Sequence, residues 1–412
     1  VQTLENLEMK KTLVAIAALA AFGAQAQSSV SLTGNVDVGL RAIDVSNNQA
    51  KNLGYITHNN SSTSAMFFTV VEDLGGGTTA KFFGEADFAP SKPALQNAST
   101  TNNGFNYSGA FFNAEQYIGL TGSLGDLKIG TPNSPALTAG TTSQPFGTGL
   151  GGGYSDTFGR LGANANVGIS GYAGQATTAR IIRNERAAVY TTPTYSGVSA
   201  QLELTGKNSN AEVVTTTSTT SGTNVTGNNN GVVGLALKYN QGPLNAIVYH
   251  GEVTGGGASG TITSAGVLTK NGILQGTKVK YDIFGANYTM GDVTGYVGYT
   301  KTKSDQTATP SASITDAEDS TSTNYAVKYA VNGKIDVMFN RVSRKHNIAE
   351  VTAYYTNGGN ATLTGLGADY KFSKRTNAYV RYEKAGNVNT LGTAANGYGD
   401  VKIMAVGLRH QF

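Results

Sequence analysis

The sequence predicts an all-β fold, a transmembrane antiparallel β-barrel of about sixteen strands. Three observations predict it. Segment after segment alternates apolar and polar residues, short turns alternate with long polar connections, and only 39% of the 412 residues are hydrophobic. These agree because lipid offers a backbone no hydrogen-bond partners, so a spanning chain must be helical or a closed sheet, and a sheet needs only one apolar residue in two.

The amino-terminal region reads separately. Residues 1–8 carry two glutamates and precede Met9, so they read as an extension from a misassigned start rather than part of the fold. Met9-Lys10-Lys11, an apolar run from Leu13 to Phe22, and Gly23-Ala24-Gln25-Ala26 form a basic n-region, an h-region and an A-x-A cleavage site. The h-region is roughly ten apolar residues, too short to span a bilayer. Residues 9–26 are therefore expected to be a signal peptide, and 27–412 a single barrel domain.

Composition narrows the class. With no Cys, an exported chain has no disulfide framework and no thiolate metal site. The formal charge of +4 is thinly spread and does not point to nucleic acid.

Punctuation sets the strand count. Short turns are expected at Asp73–Gly77, Ser123–Asp126, Thr192–Gly197, Asn240–Pro243, Met290–Asp292, Asn332-Gly333 and Phe372–Arg375. Between them lie long Thr-, Asn-, Ser- and Gly-rich stretches such as Lys207 to Gly231, Thr254 to Gly276 and Ser304 to Ser322. With both termini on the short-turn side, taken as periplasmic, seven turns imply eight long loops and sixteen strands.

Two strands alternate cleanly. Val30, Leu32, Val36, Val38 and Leu40 oppose Ser31, Thr33, Asn35, Asp37 and Arg41, and Val233, Leu235, Leu237 and Tyr239 oppose Gly234, Ala236, Lys238 and Asn240. Leu244 to Tyr249 and Thr277 to Tyr288 carry apolar residues on both faces, so their facing stays open. The final strand places Met404, Val406, Leu408 and Phe412 on one face and Gly407, Arg409 and Gln411 on the other. Its terminal Phe412 resembles the outer-membrane sorting signal of Gram-negative barrels. Closure is expected between Ser29–Arg41 and Asp400–Phe412. Tyr190, Tyr239, Tyr288, Tyr370, Phe372 and Phe412 gather near the short turns, as an interfacial aromatic girdle would.

A family resemblance rests on Ser29-Val30-Ser31-Leu32-Thr33-Gly34-Asn35-Val36-Asp37, Glu72-Asp73-Leu74-Gly75-Gly76-Gly77, Tyr117-Ile118-Gly119-Leu120-Thr121-Gly122, Tyr190-Thr191-Thr192-Pro193 and Val406-Gly407-Leu408-Arg409-His410-Gln411-Phe412. In their order and spacing the chain resembles a Gram-negative general porin of betaproteobacterial type over its whole mature length. The resemblance implies a cell outer-membrane homotrimer passing small hydrophilic solutes and ions by passive diffusion. It also implies lipid, lipopolysaccharide and the barrel assembly machinery as partners, and no cofactor. The sequence does not locate the trimer surface, for which small lipid-side residues such as Gly34 and Gly84 are candidates.

The resemblance further implies a long third loop folded into the lumen. The connection from Pro132 to Arg183 is the longest irregular segment, and Gln144-Pro145-Phe146-Gly147 and Gly151-Gly152-Gly153 suit a bent path. Asp156 is outnumbered by Arg160, Arg180 and Arg183, so the expected constriction is mildly basic and biases which ions pass. Family anion-preferring members carry a ladder of lumen arginines. Arg183 matches one, but Ala65, Thr69, Ala114 and Thr131 stand where others are expected, which weakens the predicted anion preference. Lys128, Lys238, Lys328, Lys371, Arg41 and Arg381 have lumen parity, as do Asp37, Glu85, Asp87, Glu203, Asp369 and Glu383.

Other functions fit less well. His58, His250, His346 and His410 show no spacing with Ser or carboxylates that would make a catalytic site, so no enzyme is expected. Asp316-Ala317-Glu318-Asp319 reads as an exposed acidic loop rather than a Ca²⁺ site, and no metal is expected. The alternative kept is a substrate-specific channel for a sugar or small organic anion, because Phe67 and Phe83 have lumen parity.

Overall fold

The computed structural model describes residues 28–45, 52–91, 111–153, 183–184, 186–206, 217–219, 222–225, 231–254, 260–263, 268–270, 278–304, 319–346, 350–351, 355–356, 360–389 and 398–412. The expected signal peptide and the residues before it lie outside these. Sixteen wall strands follow in chain order. They are β1 (Ser29–Val45), β2 in two pieces (Asn52–His58 and Ala65–Gly75), β3 (Thr78–Asp87), β4 (Gln116–Gly122), β5 (Gly125–Thr131), β6 (Ala187–Thr191), β7 (Val198–Thr205) and β8 (Gly231–Gln241). After them come β9 (Leu244–Thr254), β10 (Lys278–Met290), β11 (Val293–Ser304), β12 (Asp319–Ala330), β13 (Ile335–His346), β14 (Asn360–Lys371), β15 (Thr376–Asn389) and β16 (Tyr398–Gln411).

Each strand pairs antiparallel with its sequence neighbours, and β16 returns to β1, so the sheet is closed. All seven expected turns join consecutive strands. Several need a left-handed residue, as at Gly76 (φ 61°), Gly242 (φ 60°) and Gly291 (φ 58°), which glycine adopts without steric cost. Two further small sheets lie in the long connections: 217–219, 222–225, 260–263 and 268–270 form one, 350–351 and 355–356 the other.

Closure departs from expectation in register. The seam runs from Asn35 opposite Gln411 to Val45 opposite Val401, and Ser29–Thr33 pair with β2 instead. Phe412 extends the seam by exchanging two backbone hydrogen bonds with Gly34, each 3.0 Å. A Cβ on Gly34 would stand 2.2 Å from Cζ of Phe412, so the ring rests against the bare glycine. Gly84 is likewise covered, by Phe112, whose Cε1 would lie 2.5 Å from an added Cβ. The two glycines that are candidates for a subunit contact are thus occupied by aromatic rings of their own chain.

The wall faces as its alternation dictates. Val36, Val38 and Leu40 point outward while Asn35, Asp37 and Arg41 are buried inward. The girdle residues Tyr190, Tyr288, Tyr370, Phe372 and Phe412 are exposed on the outer side. β9 and β10 resolve the ambiguous facing: Ile247, Tyr249, Val253, Val279, Tyr281 and Ile283 point inward and are buried, although Val248 and Phe284 point outward. An apolar inner face means that something covers it.

Candidate functional site

The cover is a segment that follows β5. Ser134 accepts the Leu137 N–H through its hydroxyl at 3.2 Å and Pro135 occupies the first turn, which starts helix α1 (Pro135–Thr142). Thr and Gly are weak helix formers, so burial holds it: Ala136 and Ala139, three apart on one face, are 0% exposed. They pack into one apolar cluster with Val232, Ala236, Ile247, Tyr249, Val253, Val279, Tyr281 and Ile283 of β8–β10. Gly285 permits the approach, since a Cβ there would meet the Ala139 carbonyl at 2.3 Å.

Beyond α1 the segment tracks the wall through β10–β15. Asn287 donates to the Thr142 carbonyl at 2.9 Å, Asn324 to Ser143 at 2.7 Å and Asn340 to Gly152 at 2.8 Å. The Glu383 carboxylate accepts the Gly151 and Gly152 N–H groups at 2.9 and 3.2 Å. Leu150 seats in a second inner apolar cluster with Ile43, Val342, Leu363, Ala385, Val401, Ile403 and Ala405. The part of the expected constriction up to Gly153 thus lies inside the barrel. Asp156, Arg160 and Arg180 lie outside the described residues.

Arg183, Lys128, Arg41, Glu85 and Arg381 are described, and the structure does not gather them. Arg41 donates through Nε to Asn60 at 2.7 Å, and Asn60 donates to the Tyr379 hydroxyl at 3.1 Å. Tyr379 donates to Asp37, whose carboxylate also accepts the Ser61 and Ser62 N–H groups at 2.6 and 2.8 Å. This network holds 59–64, the interruption between the two pieces of β2. Arg381 pairs with Asp369 at 2.9 Å, donates to Ser61 at 2.8 Å, and lies over the Phe146 ring. Arg41 and Arg381 point inward as parity indicates, but they are buried and spent on holding structure.

The opposite arc differs. Arg183 donates to Asn133 at 2.7 Å and stands 3.6 Å from Glu85. Asn133 donates in turn to both oxygens of Glu115, at 2.9 and 2.6 Å. Lys128 reaches over the Tyr117 ring, 4.8 Å from its centroid, and Lys81 lies 5.2 Å from the Phe83 centroid. Neither lysine makes an ion pair with a described residue. Lys81 and Tyr117 were missed as site residues, although parity alone, read from Phe83 and Lys128, places them inward.

The histidines are dispersed. His58 is 2.6 Å from the Ser91 hydroxyl, His250 is 2.6 Å from Asp282 on the outer face, and His410 is 2.9 Å from Thr376.

A closed sheet with an apolar outside, a polar inside and a chain segment crossing its interior defines a transmembrane channel protein. Known proteins agree. A family model for Gram-negative porins matches residues 12–390. Outer membrane porin protein 32 of Delftia acidovorans is 30% identical over 294 residues, 67% of this chain and 72% of that protein. An outer membrane porin protein of Bordetella pertussis is 27% identical over 266 residues, 60% of each. The solved anion-selective porin from Comamonas acidovorans superposes with a TM-score of 0.65 at 21% identity, covering 94% of this chain and 100% of that one. A trimer form of OmpT from Vibrio cholerae superposes with a TM-score of 0.59 at 14% identity, covering 93% and 99%. The chain belongs to the Gram-negative porin family. It is an outer-membrane channel for passive diffusion of small hydrophilic solutes and ions, and its relatives are channels rather than enzymes.

Proposed function

We propose that this porin is a homotrimer whose lumen weakly prefers anions. One observation carries the preference: the inward carboxylates are engaged and several inward lysines are not. Asp37 and Glu383 accept backbone N–H groups, Asp369 pairs with Arg381, and Asp336 pairs with Lys371 at 2.8 Å. Glu85 faces Arg183 and shares a hydrogen bond with Asp87, and Glu203 accepts from Asn184 at 2.7 Å. Lys81, Lys128, Lys238 and Lys328 make no close ion pair with a described carboxylate, although Glu115, held by Asn133, lies near enough to Lys128 to feel its charge. A wall of low dielectric around such unpaired charge focuses the field that passing ions feel. Because most family-ladder arginines are absent, the preference is weaker than theirs.

A trimer in lipid also fits the outer face. Lys301, Lys303, Lys345 and Lys402 point outward and are exposed beyond the apolar band, suited to lipopolysaccharide phosphates. The seam at Phe412 suits delivery by the barrel assembly machinery.

The test is the reversal potential of the purified protein in a planar bilayer under a KCl gradient. An anion-directed potential that falls toward zero when Lys81, Lys128 and Lys238 are replaced together by Gln supports the reading. A cation-directed potential in the wild type, or one that this triple change leaves alone, refutes it.

A further inference from the structure

Three aromatic side chains line one arc of the lumen in near-parallel array. The Phe67 and Phe83 rings lie 6.0 Å apart, centroid to centroid, with 20° between planes, and Phe83 and Tyr117 lie 5.5 Å apart with 25°. Strand register produces the array. Phe83 stands directly opposite Tyr117, and Phe67 sits one diagonal step away, opposite Glu85.

One step nearer the periplasm, Gly119 faces Lys81 on one side and Lys128 on the other. Gly119 has no side chain, so the Tyr117 ring leans over it; an added Cβ would lie 3.3 Å from Tyr117 Cε2. Both lysines reach that ring, with Lys81 Nζ 5.7 Å and Lys128 Nζ 4.8 Å from its centroid. Tyr117 is buried by these neighbours, while Phe67 and Phe83 stay partly exposed.

Packing does not account for the array. The apolar residues on β8–β10 are covered by α1, and those on β13–β16 by Leu150. The rings on β2–β4 belong to neither cluster. Flat apolar faces beside ammonium groups that make no close ion pair with a described carboxylate match a solute carrying a ring and a carboxylate. The ring would stack on Phe67 and Phe83 while the carboxylate reaches Lys81 and Lys128.

We infer that this arc is a transit subsite for aryl carboxylates, favouring ring-bearing organic anions over saturated ones of equal charge. The inference rests on the channel reading above and names a solute class for it. The contact is partly exposed, so it holds a solute briefly, as conduction requires.

The experiment is planar-bilayer recording in KCl with benzoate added, compared with cyclohexanecarboxylate, which has the same charge and similar bulk without the π face. Benzoate is expected to reduce the chloride current at an about tenfold lower concentration, the size of one good ring–ring contact. Replacing Phe67→Leu and Phe83→Leu together is expected to erase that difference. Replacing Lys81→Gln and Lys128→Gln is expected to weaken block by both anions and keep their ratio. Phe67→Tyr, which keeps the ring, is expected to keep the preference.

Equal half-blocking concentrations in the wild type overturn the inference by themselves, as does a benzoate preference that survives the double Leu variant. KCl conductance recorded before each addition reports that an open channel has formed. Its absence from the wild type would refute the channel reading rather than the subsite.

Discussion

The two arcs of the lumen use the same strand period for opposite purposes. Along β8–β15 many inward positions are apolar, glycine, or polar groups bonded to the crossing segment, and that segment is packed onto them, although Lys238, Lys328 and the Asp336–Lys371 pair also face inward there. Along β2–β5 they include the three rings and the lysines Lys81 and Lys128, and among the bonds made there are those of Arg183 and Asn133 with Glu85 and Glu115. Inward facing therefore does not mean water facing. A barrel can build a small dry core inside its wet interior by making one arc of its inner wall apolar, and it thereby fixes which arc is left for solutes.

The comparison breaks most sharply at Gly365. A Cβ there would lie 1.8 Å from the Gly151 carbonyl, so Gly365→Val is expected to unseat the crossing segment, at a cost of about 1–3 kcal/mol or more in overpacking. Single-channel conductance should rise; an unchanged value would mean the segment does not narrow the pore. Leu150→Ala empties the second inner cluster, where Leu150 is 4% exposed. Loss of about 2–5 kcal/mol is expected from comparable core truncations, read as a lower unfolding midpoint in detergent together with flickering current.

A gentler probe is Glu383→Gln, which keeps the shape but removes the charge from two hydrogen bonds to the Gly151 and Gly152 N–H groups. Weakening by about 1.5–3 kcal/mol is expected, so current noise should grow with little change in mean conductance. The smallest effect is expected on the open arc. Arg183→Ser leaves Glu85 without its guanidinium, and because the pair is partly exposed it is worth at most about 1 kcal/mol. The reversal potential should move slightly toward cations, and an unmoved potential would show that the Arg183 charge does not reach the ion path.

Much of this was legible in the sequence. Turn residues placed all seven short connections and set the count at about sixteen strands, and alternation showed the facing of the clearest ones, because a wall between lipid and water imposes period two. The facing left open at Leu244–Tyr249 and Thr277–Tyr288 carries a true signal: both faces are apolar because one meets lipid and the other meets α1. The helix itself was hidden, since Pro135–Thr142 has little helix propensity and forms through its Ser134 cap and buried alanines. Parity also told where Arg41 and Arg381 point but not what they touch. Ser61 is brought to Arg381 only by closure, Asn60 and Asp369 reach their arginines from neighbouring hairpins, and the 59–64 interruption of β2 reads as an ordinary polar loop until Asp37 is seen holding it.

The seam between β1 and β16 has a consequence in time. Its partners, such as Asn35 and Gln411, are separated by almost the whole chain, and contacts between distant residues form slowly because long loops must close first. Until they form, two rows of backbone donors and acceptors stay open, one at each end of a nearly complete sheet, and each can template pairing with another molecule. The interval before closure is therefore the vulnerable stage in the life of this protein. An escort that occupies one open row during that interval would protect against aggregation more effectively than any stabilisation of the finished wall.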